Sequence, residues 1–220
     1  MAGRLPARDT SYTPPVAGAA ELTRNCERVG VLGGTFDPIH IAHLVAALGA
    51  RHALGLHRVV LVVAGDPWQK RSTVVASAAD RLAMARAAID GLDGLEVSAV
   101  EVERPGPTYT IDTLRALSAA DRELFLIVGS DVAARLDTWH DADAVRAAAT
   151  LVVVSRDLDP AALDPASGSA HGTRIDVHIP RLDVASSDLR DRVARGEPID
   201  VLVPAGAVRV IRERHLYTRS

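Results

Sequence analysis

A pair of histidines that follows a pair of glycines is the feature of this sequence best suited to chemistry. His40 and His43 stand three residues apart, and Gly33 and Gly34 precede them in the segment GGTFDPIHIAH. Glycines let the backbone approach a ligand closely, and a helix start offers unpaired N–H groups and a dipole that favour phosphate. Residues three apart share one face of a helical turn, so both imidazoles would lie beside that phosphate. A metal pair or two structural histidines are the alternatives, and the glycine turn favours the phosphate.

A second anion-binding pattern lies near the end of the chain. Ser186 and Ser187 suit the first turn of a helix, where hydroxyl and N–H groups face an anion, and Arg190 lies one turn further on. The planar guanidinium of arginine can hold two phosphate oxygens at once. Alone, this pattern is typical of a capped helix with a solvated arginine. Together with the glycine–histidine segment, it predicts one half of a triphosphate clamp.

Aromatic residues are scarce, and their positions are informative. The chain has two Phe, two Trp and three Tyr, and four of them follow predicted strands: Phe36, Trp68, Tyr109 and Trp139. The one lysine, Lys70, also follows the second predicted strand. Ligands of open α/β sheets bind beyond the carboxyl ends of the strands, whereas aromatic side chains ordinarily fill the core. The distribution predicts flat ligand groups at this face; core packing for Trp139 and a solvated loop for Lys70 are the alternatives.

Alternating strand and helix patterns must position these residues. Runs that are apolar on both faces predict strands covered on both sides, and helical spacing of apolar residues predicts the segments between them. The predicted strands are Arg28–Gly33, Arg58–Ala64, Leu95–Val102, Glu123–Val128, Leu151–Val154 and Ile175–Ile179, and the predicted helices are Leu44–Leu54, Ala78–Ile89, Ile111–Ala119, Asp141–Ala148, Ser187–Arg195 and Ala205–Arg214. This order predicts an α/β fold with a doubly wound parallel sheet in three layers, α/β/α. We expect one domain over residues 28–220, preceded by a disordered N-terminal extension over residues 1–27.

Composition narrows the class of protein further. A chain of 220 residues with 48% hydrophobic and 24% charged residues can bury one substantial core. A formal net charge of −3 argues against nucleic acid or a membrane surface as a partner, and no apolar run is long enough to cross a bilayer. The lone Cys26 fits a reducing compartment, so we expect a cytoplasmic location. No His, Cys or Asp cluster has the spacing of a zinc site, so we expect no protein metal site. The P-loop pattern is absent too. Homo-oligomerisation stays open.

Five segments, in order along the chain, resemble the nucleotidylyltransferase superfamily and, within it, the bacterial nicotinate-nucleotide adenylyltransferase family. Residues 33–43 (GGTFDPIHIAH) and 184–190 (VASSDLR) resemble the motifs G-G-T-F-D-P-x-H-x-G-H and I-S-S-T-x-I-R. Residues 106–114 (GPTYTIDTL) resemble the family's G-P-S/T-Y-T-x-D-T-L signature, and residues 129–131 and 138–139 resemble its G-x-D and T-W pieces. The sequence departs from the family at Ala42, at Ala185 and in residues 67–70, which read PWQK instead of P-P-H-K.

The resemblance implies a Rossmann-like fold and an enzyme of NAD biosynthesis. It would transfer the adenylyl group of ATP to nicotinate mononucleotide, giving deamido-NAD and diphosphate, with Mg²⁺ accompanying ATP as cofactor. The alternatives are a nicotinamide-mononucleotide or pantetheine-phosphate adenylyltransferase and, outside enzymes, a non-catalytic dinucleotide-binding regulator. The resemblance implies that His40, His43 and Arg190 are catalytic. It implies that ATP binds these three residues together with Gly33, Gly34, Thr35, Phe36, Gly129, Asp131, Ser186 and Ser187. It implies that nicotinate mononucleotide binds Lys70, Tyr109, Thr110 and Trp139.

Overall fold

Six strands alternate with helices over the residues that the computed structural model describes, 26–66, 75–155 and 173–218. The strands are β1 (Glu27–Gly34), β2 (Arg58–Val63), β3 (Leu95–Ser98), β4 (Arg122–Gly129), β5 (Thr150–Ser155) and β6 (Arg174–His178). The helices are α1 (Ile41–Leu54), α2 (Ala78–Ala88), α3 (Thr110–Leu117), α4 (Ser130–Ala133), α5 (Ala142–Ala148), α6 (Ser186–Ala194) and α7 (Ala205–Glu213), with a 3₁₀ turn at Leu136–Thr138. Residues 1–25 of the predicted extension lie outside the described residues, and so do Trp68 and Lys70.

The order of strands in the sheet determines where a ligand can bind. All neighbouring strands are parallel, and their order is β3-β2-β1-β4-β5-β6. The chain therefore runs outward from β1 to β3 and then returns to begin again at β4, on the other side of β1. Ligands of such sheets bind beyond the carboxyl ends of the strands where the order reverses. Gly34 ends β1 and Gly129 ends β4 at that point, which confirms the doubly wound fold.

Two hydrophobic layers hold the helices against the sheet. In β2, Val59, Leu61 and Val63 pack into one layer, and Val60 and Val62 pack into the other. The alternation arises because successive side chains of a strand point to opposite faces. Buried residues of α1, α2, α6 and α7 belong to the first layer, and those of α3 and α5 belong to the second. The three-layer α/β/α arrangement is confirmed.

β3 is shorter than the sequence predicts. It ends at Ser98, whereas the alternating run predicts a strand up to Val102. The backbone N–H of Glu103 donates to the carbonyl of Ala99 at 2.9 Å, so the chain turns immediately after the strand. This turn carries Glu101, which the strand prediction treats as an ordinary polar position, into the wall of the cavity described below.

Helix starts depend on capping groups more than on apolar spacing. α1 begins at Ile41 rather than at Leu44, because His40 occupies the N-cap position. α2 begins as predicted after Ser77, whose Oγ accepts a hydrogen bond from the N–H of Asp80 at 3.1 Å. α4 and the 3₁₀ turn are not predicted, because segments of four and three residues carry no periodic signal.

Candidate active site

A cavity of about 790 Å³ lies at the carboxyl ends of β1 and β4, where the strand order reverses. Small-molecule sites span about 300–1,000 Å³, so this volume suits a nucleotide-sized ligand. The cavity brings together ten of the residues that the sequence predicts to bind substrates: Gly33, Gly34, Thr35, His40, His43, Tyr109, Thr110, Gly129, Asp131 and Trp139.

The turn after β1 leaves no room for a side chain at Gly34, because a Cβ there would lie 2.8 Å from the ring of Phe36. Phe36 has a φ of 50° and is only 1% exposed, so its ring lies in the core and outside the cavity lining. That ring meets the ring of His43 edge-on, with the centroids 5.0 Å apart. This placement differs from the expectation that Phe36 lines the nucleotide, because the ring instead supports a cavity histidine from the core side.

His40 and His43 form one unit at the N-terminus of α1. Their rings stack with centroids 3.7 Å apart, and the backbone N–H of His40 donates to Nδ1 of His43 at 3.2 Å. Because Nδ1 of His43 accepts this bond, the neutral ring carries its proton on Nε2, and Nε2 is a donor. The N-terminus of the 14-residue α1 adds the positive end of its dipole.

The closing segment contacts the turn that precedes α1. Arg190 Nη1 donates to the carbonyl of Asp37 at 2.7 Å, and Ser186 Oγ donates to the carbonyl of Pro38 at 3.0 Å. Ser187 is exposed. The structure thus brings the two predicted motifs together. These three side chains do not belong to the cavity lining, whereas Ala185 does.

Flat side chains from two segments form part of the cavity wall. Tyr109 and Thr110 lie at the start of α3, and Trp139 and His140 follow the 3₁₀ turn. The rings of Tyr109 and His140 lie 4.3 Å apart, tilted by 30°. Trp139 packs against the second hydrophobic layer and also lines the cavity, so it serves the core and the site at once. Sequence reasoning did not single out His140.

Carboxylates reach the cavity from two further segments. Gly129 ends β4, and a Cβ on it would lie 2.9 Å from Oδ1 of Asp131, whose side chain is 78% exposed. Arg181 and Asp183 form an exposed ion pair, with Nε 3.0 Å from Oδ2, just before α6. Both members of this pair line the cavity, and the sequence analysis missed them because a lone Arg-x-Asp carries no specific signal. Exposed carboxylates of this kind can accept hydrogen bonds from sugar hydroxyls.

Glu101 is a buried carboxylate in the cavity wall that the sequence analysis also missed. It is 9% exposed and accepts a hydrogen bond from Oγ1 of Thr113 in α3. Burial raises the pKa of Glu101, although hydrogen bonds from Thr113 and Thr108 oppose the rise. The contact ties α3 to the turn after β3, and with it the segment that carries Tyr109.

Arg81 is a buried arginine behind the cavity. It is 1% exposed, and its guanidinium donates to the carbonyls of Thr35 at 2.8 Å, Gly65 at 3.1 Å and Ala76 at 3.3 Å. Burial lowers the pKa of Arg81, and the charge of Asp37 opposes that shift. Arg81 therefore joins the loop after β1 to the loop after β2. The sequence does hold a signal for it, because Arg81 shares the buried helical stripe 81, 84, 85, 88 of α2.

Two general properties complete the description. Over residues 26–66, 75–155 and 173–218, no group of three or more His, Cys, Asp or Glu side chains is placed to share a metal ion. Within the same ranges, no helix has the length and apolar character needed to span a membrane. Lys70 lies outside these ranges, so its predicted contact with a substrate stays a prediction.

The doubly wound sheet and the glycine–histidine turn at its switch point define a nucleotidyltransferase of the cytidylyltransferase-like class. The sequence model of the cytidylyltransferase-like family matches residues 31–192. A solved structure described as Plasmodium falciparum nicotinic acid mononucleotide adenylyltransferase complexed with NaAD superposes with a TM-score of 0.69, covering 87% of this chain and 97% of that one. The two sequences are 17% identical, so this likeness shows the shared fold.

Curated relatives identify the particular family. A protein of Frankia alni named probable nicotinate-nucleotide adenylyltransferase is 46% identical over 188 residues, which cover 84% of this chain and 98% of that protein. A protein of Streptomyces coelicolor with the same name is 43% identical over 188 residues, with the same coverage. The chain belongs to the nicotinate-nucleotide adenylyltransferase family, and the resemblance found in its motifs is confirmed.

Proposed function

We propose that this protein transfers the adenylyl group of ATP to nicotinate mononucleotide, forming deamido-NAD and diphosphate in NAD biosynthesis. The observation that carries the proposal is the stacked pair His40 and His43, set at the N-terminus of α1 in the wall of a nucleotide-sized cavity. Family membership supports the choice of substrates, since relatives that match nearly over their whole length bear this name.

The reaction needs positioning more than it needs a base. An oxygen of the mononucleotide's 5′-phosphate attacks the α-phosphorus of ATP and forms the new P–O bond. The bond between the α-phosphorus and the oxygen that bridges it to the β-phosphorus breaks, and diphosphate leaves with the electron pair. A phosphate monoester is already a competent nucleophile, so catalysis consists of alignment and of stabilising charge on the transferring group.

The histidine pair is placed to stabilise that charge. His43 presents Nε2–H as a donor because its Nδ1 is engaged by the backbone of His40. The positive end of the α1 dipole acts on the same region. We assign both histidines to the α-phosphate and to its transition state. Gly33, Gly34 and Thr35 supply the close backbone of the turn that faces the nucleotide.

The closing segment is assigned to the β- and γ-phosphates. α6 begins at Ser186, and the residue before it, Ala185, lines the cavity, so the N–H groups of the first turn point toward this region. Ser187 is exposed and can turn its hydroxyl to a phosphate oxygen. Arg190 supplies the guanidinium, held on the turn at Asp37. The loss of the family's serine at position 185 removes one hydroxyl contact from this set.

The remaining lining residues are assigned to the flat and sugar parts of the two substrates. Tyr109, Thr110 and Trp139 hold the pyridine ring, which stacks on Trp139. Asp131, beside Gly129, accepts a hydrogen bond from a ribose hydroxyl.

Mg²⁺ fits this site as a partner of ATP. The described residues offer no three-ligand cage, and Mg²⁺ commonly binds substrate phosphates with water and few protein ligands. It would be held by the triphosphate, and when bound it spreads the negative charge of the leaving diphosphate. We also propose a cytoplasmic location, which the single cysteine of the chain supports.

Diphosphate release with different acceptors tests the proposed substrates. Purified full-length protein receives ATP, Mg²⁺ and, in separate reactions, nicotinate mononucleotide, nicotinamide mononucleotide or 4′-phosphopantetheine. We expect the largest kcat/KM with nicotinate mononucleotide. A preference for either other acceptor would replace this substrate assignment. Dinucleotide binding without diphosphate release from any acceptor would indicate the regulator instead.

Substitutions in one helix test the histidine pair. His43→Asn keeps an acceptor for the backbone N–H of His40 but removes the Nε2 donor, so we expect turnover to fall by about 10²–10³-fold with little change in thermal stability. His52→Asn, on the exposed last turn of the same helix, is the matched control and should leave turnover unchanged. Equal turnover in the two variants would remove His43 from the mechanism.

A further inference from the structure

The last residues of the described chain reach back to the turn that precedes α1. The hydroxyl of Tyr217 donates to Oδ1 of Asp37 at 2.7 Å, across a separation of 180 residues. Tyr217 has a φ of 65°, a left-handed conformation that non-glycine residues rarely adopt, and His215 has a φ of 51°. Residues held in such conformations persist where the surrounding contacts fix them, and they occur disproportionately at functional sites.

Asp37 collects partners from several separate segments. It is 2% exposed, and its carboxylate accepts the backbone N–H groups of Val75 at 2.8 Å and Ala76 at 3.1 Å in addition to the Tyr217 hydroxyl. Arg190 Nη1 lies 3.7 Å from Oδ2 of the same carboxylate and donates to the backbone carbonyl of Asp37 at 2.7 Å. The carboxylate therefore stands between the C-terminal tyrosine and the arginine assigned to the triphosphate.

The Tyr217 hydroxyl bears on Arg190 through this carboxylate. A guanidinium on a long side chain has many rotamers, and an ordered acceptor selects the one that aligns its planar fork. The ordered acceptor here is the backbone carbonyl of Asp37, and the Asp37 carboxylate adds a negative charge 3.7 Å from Nη1. The position of that charge depends on the rotation of the carboxylate, which the phenol helps to fix with a short, charge-assisted bond. Burial raises the pKa of Tyr217, and the neighbouring carboxylate raises it further, so the hydroxyl keeps its proton.

We propose that Tyr217 is a positioning residue for ATP: by fixing the Asp37 carboxylate, it holds Arg190 in the orientation that receives the triphosphate. The proposal rests on the function proposed above for Arg190. It assigns a role in nucleotide binding to the C-terminal segment, which lies far in sequence from both phosphate motifs.

Removing one oxygen atom tests the proposal. Tyr217→Phe keeps the ring and loses only the hydroxyl, so we expect the KM for ATP and the Kd for Mg·ATP to rise about tenfold, the share of one charge-assisted hydrogen bond. The KM for nicotinate mononucleotide should stay within about twofold, because that substrate does not contact Arg190 in the proposed arrangement. Thr218→Val removes a neighbouring exposed hydroxyl that donates only to the carbonyl of His215, and it should change neither constant. Equal changes in the KM values of both substrates would overturn the proposal.

A double-mutant cycle separates positioning from general destabilisation. If Tyr217 acts through Arg190, Tyr217→Phe should have no further effect on Mg·ATP affinity in an Arg190→Met background. Additive losses in the double variant would overturn the proposal. Thermal unfolding is recorded for every variant, and binding is measured in the cold, well below the lowest unfolding midpoint, so that a loss of stability does not mimic a loss of affinity. A wild-type protein that binds Mg·ATP but transfers no adenylyl group would sink the proposed function, while the binding cycle would still decide the role of Tyr217.

Discussion

Replacing Arg81 by methionine should weaken the fold and disturb the cavity together. The guanidinium of Arg81 is the shared donor for three backbone carbonyls, at Thr35, Gly65 and Ala76, over distances of 2.8, 3.1 and 3.3 Å. Thr35 belongs to the lining of the cavity, and Gly65 follows β2 at the same end of the sheet. Methionine fills a similar volume but offers no donor, so all three carbonyls lose this partner.

The size of the effect follows from these contacts. A buried carbonyl left without a partner costs about 1–3 kcal/mol, so three would cost about 3–9 kcal/mol. Two contributions reduce this figure. The carbonyls of Thr35 and Gly65 are only partly buried, so water can reach them, and methionine no longer requires a charge to be held in the core. We therefore expect Arg81→Met to lower the free energy of unfolding by about 3 kcal/mol, a large share of the usual total of about 5–15 kcal/mol.

Urea denaturation followed by circular dichroism measures this change, with kcat/KM for ATP measured in parallel. Arg86→Met is the matched control, because Arg86 is exposed on the same helix, and it should stay within about 0.5 kcal/mol of the wild type. Arg81→Lys keeps the charge but cannot reach three acceptors, so it should fall between the two. We expect kcat/KM for Arg81→Met to fall by about 10–100-fold, because the Thr35 turn loses its anchor. Equal stability of the Arg81→Met and Arg86→Met variants would refute this account of Arg81.

Three further predictions concern ionisation and packing. Glu27 lies between two arginines whose contacts, that of Arg58 first, lower its pKa to about 2 from 4.5, so its stabilisation is complete above pH 4.5 and is lost as the pH falls toward 2. Since its side chain is 33% exposed, Glu27→Gln should cost about 1 kcal/mol at pH 7 and less in acid, measured by urea denaturation across pH. Burial raises the pKa of Glu101, so its charged form is unfavourable in the folded state. Glu101→Gln should therefore raise the unfolding midpoint at pH 8, and this gain should disappear below pH 4.5. An unchanged midpoint at pH 8 would contradict this. A Cβ on Gly206 would lie 1.9 Å from the carbonyl oxygen of Ala87, so Gly206→Ala should lower the free energy of unfolding by about 1–3 kcal/mol. A Cβ on Gly33 would meet nothing within 4 Å, so Gly33→Ala should keep the stability of the wild type and lose ATP affinity in calorimetry.

The fold was predictable because its signals are local. β2 and β4 are apolar on both faces, which only a doubly covered strand explains, and the regular alternation with helices then leaves few topologies. Ser77 predicts the start of α2, because its side chain can cap the first turn of a helix. The short α4 and the early end of β3 carry no such signal, since both depend on how the chain turns at the carboxyl end of a strand.

The site was only partly predictable, for a physical reason. Gly34, His40 and His43 lie within one short segment, so their spacing alone indicates a phosphate site. Contacts made across the fold leave no trace in spacing. Phe36 packs into the core because the backbone at a φ of 50° directs it there. Tyr217 lies beside Asp37 because α7, which precedes it, packs along α2, and no local pattern shows this.

Isotope tracing tests the central claim most directly. The protein is given ATP, Mg²⁺ and nicotinate mononucleotide whose three terminal phosphate oxygens are ¹⁸O, and both products are weighed by mass spectrometry. If the mononucleotide phosphate attacks the α-phosphorus of ATP, deamido-NAD retains every labelled oxygen and an equimolar amount of diphosphate carries none. Loss of a labelled oxygen from deamido-NAD, label in the diphosphate, or no deamido-NAD at all would contradict the account.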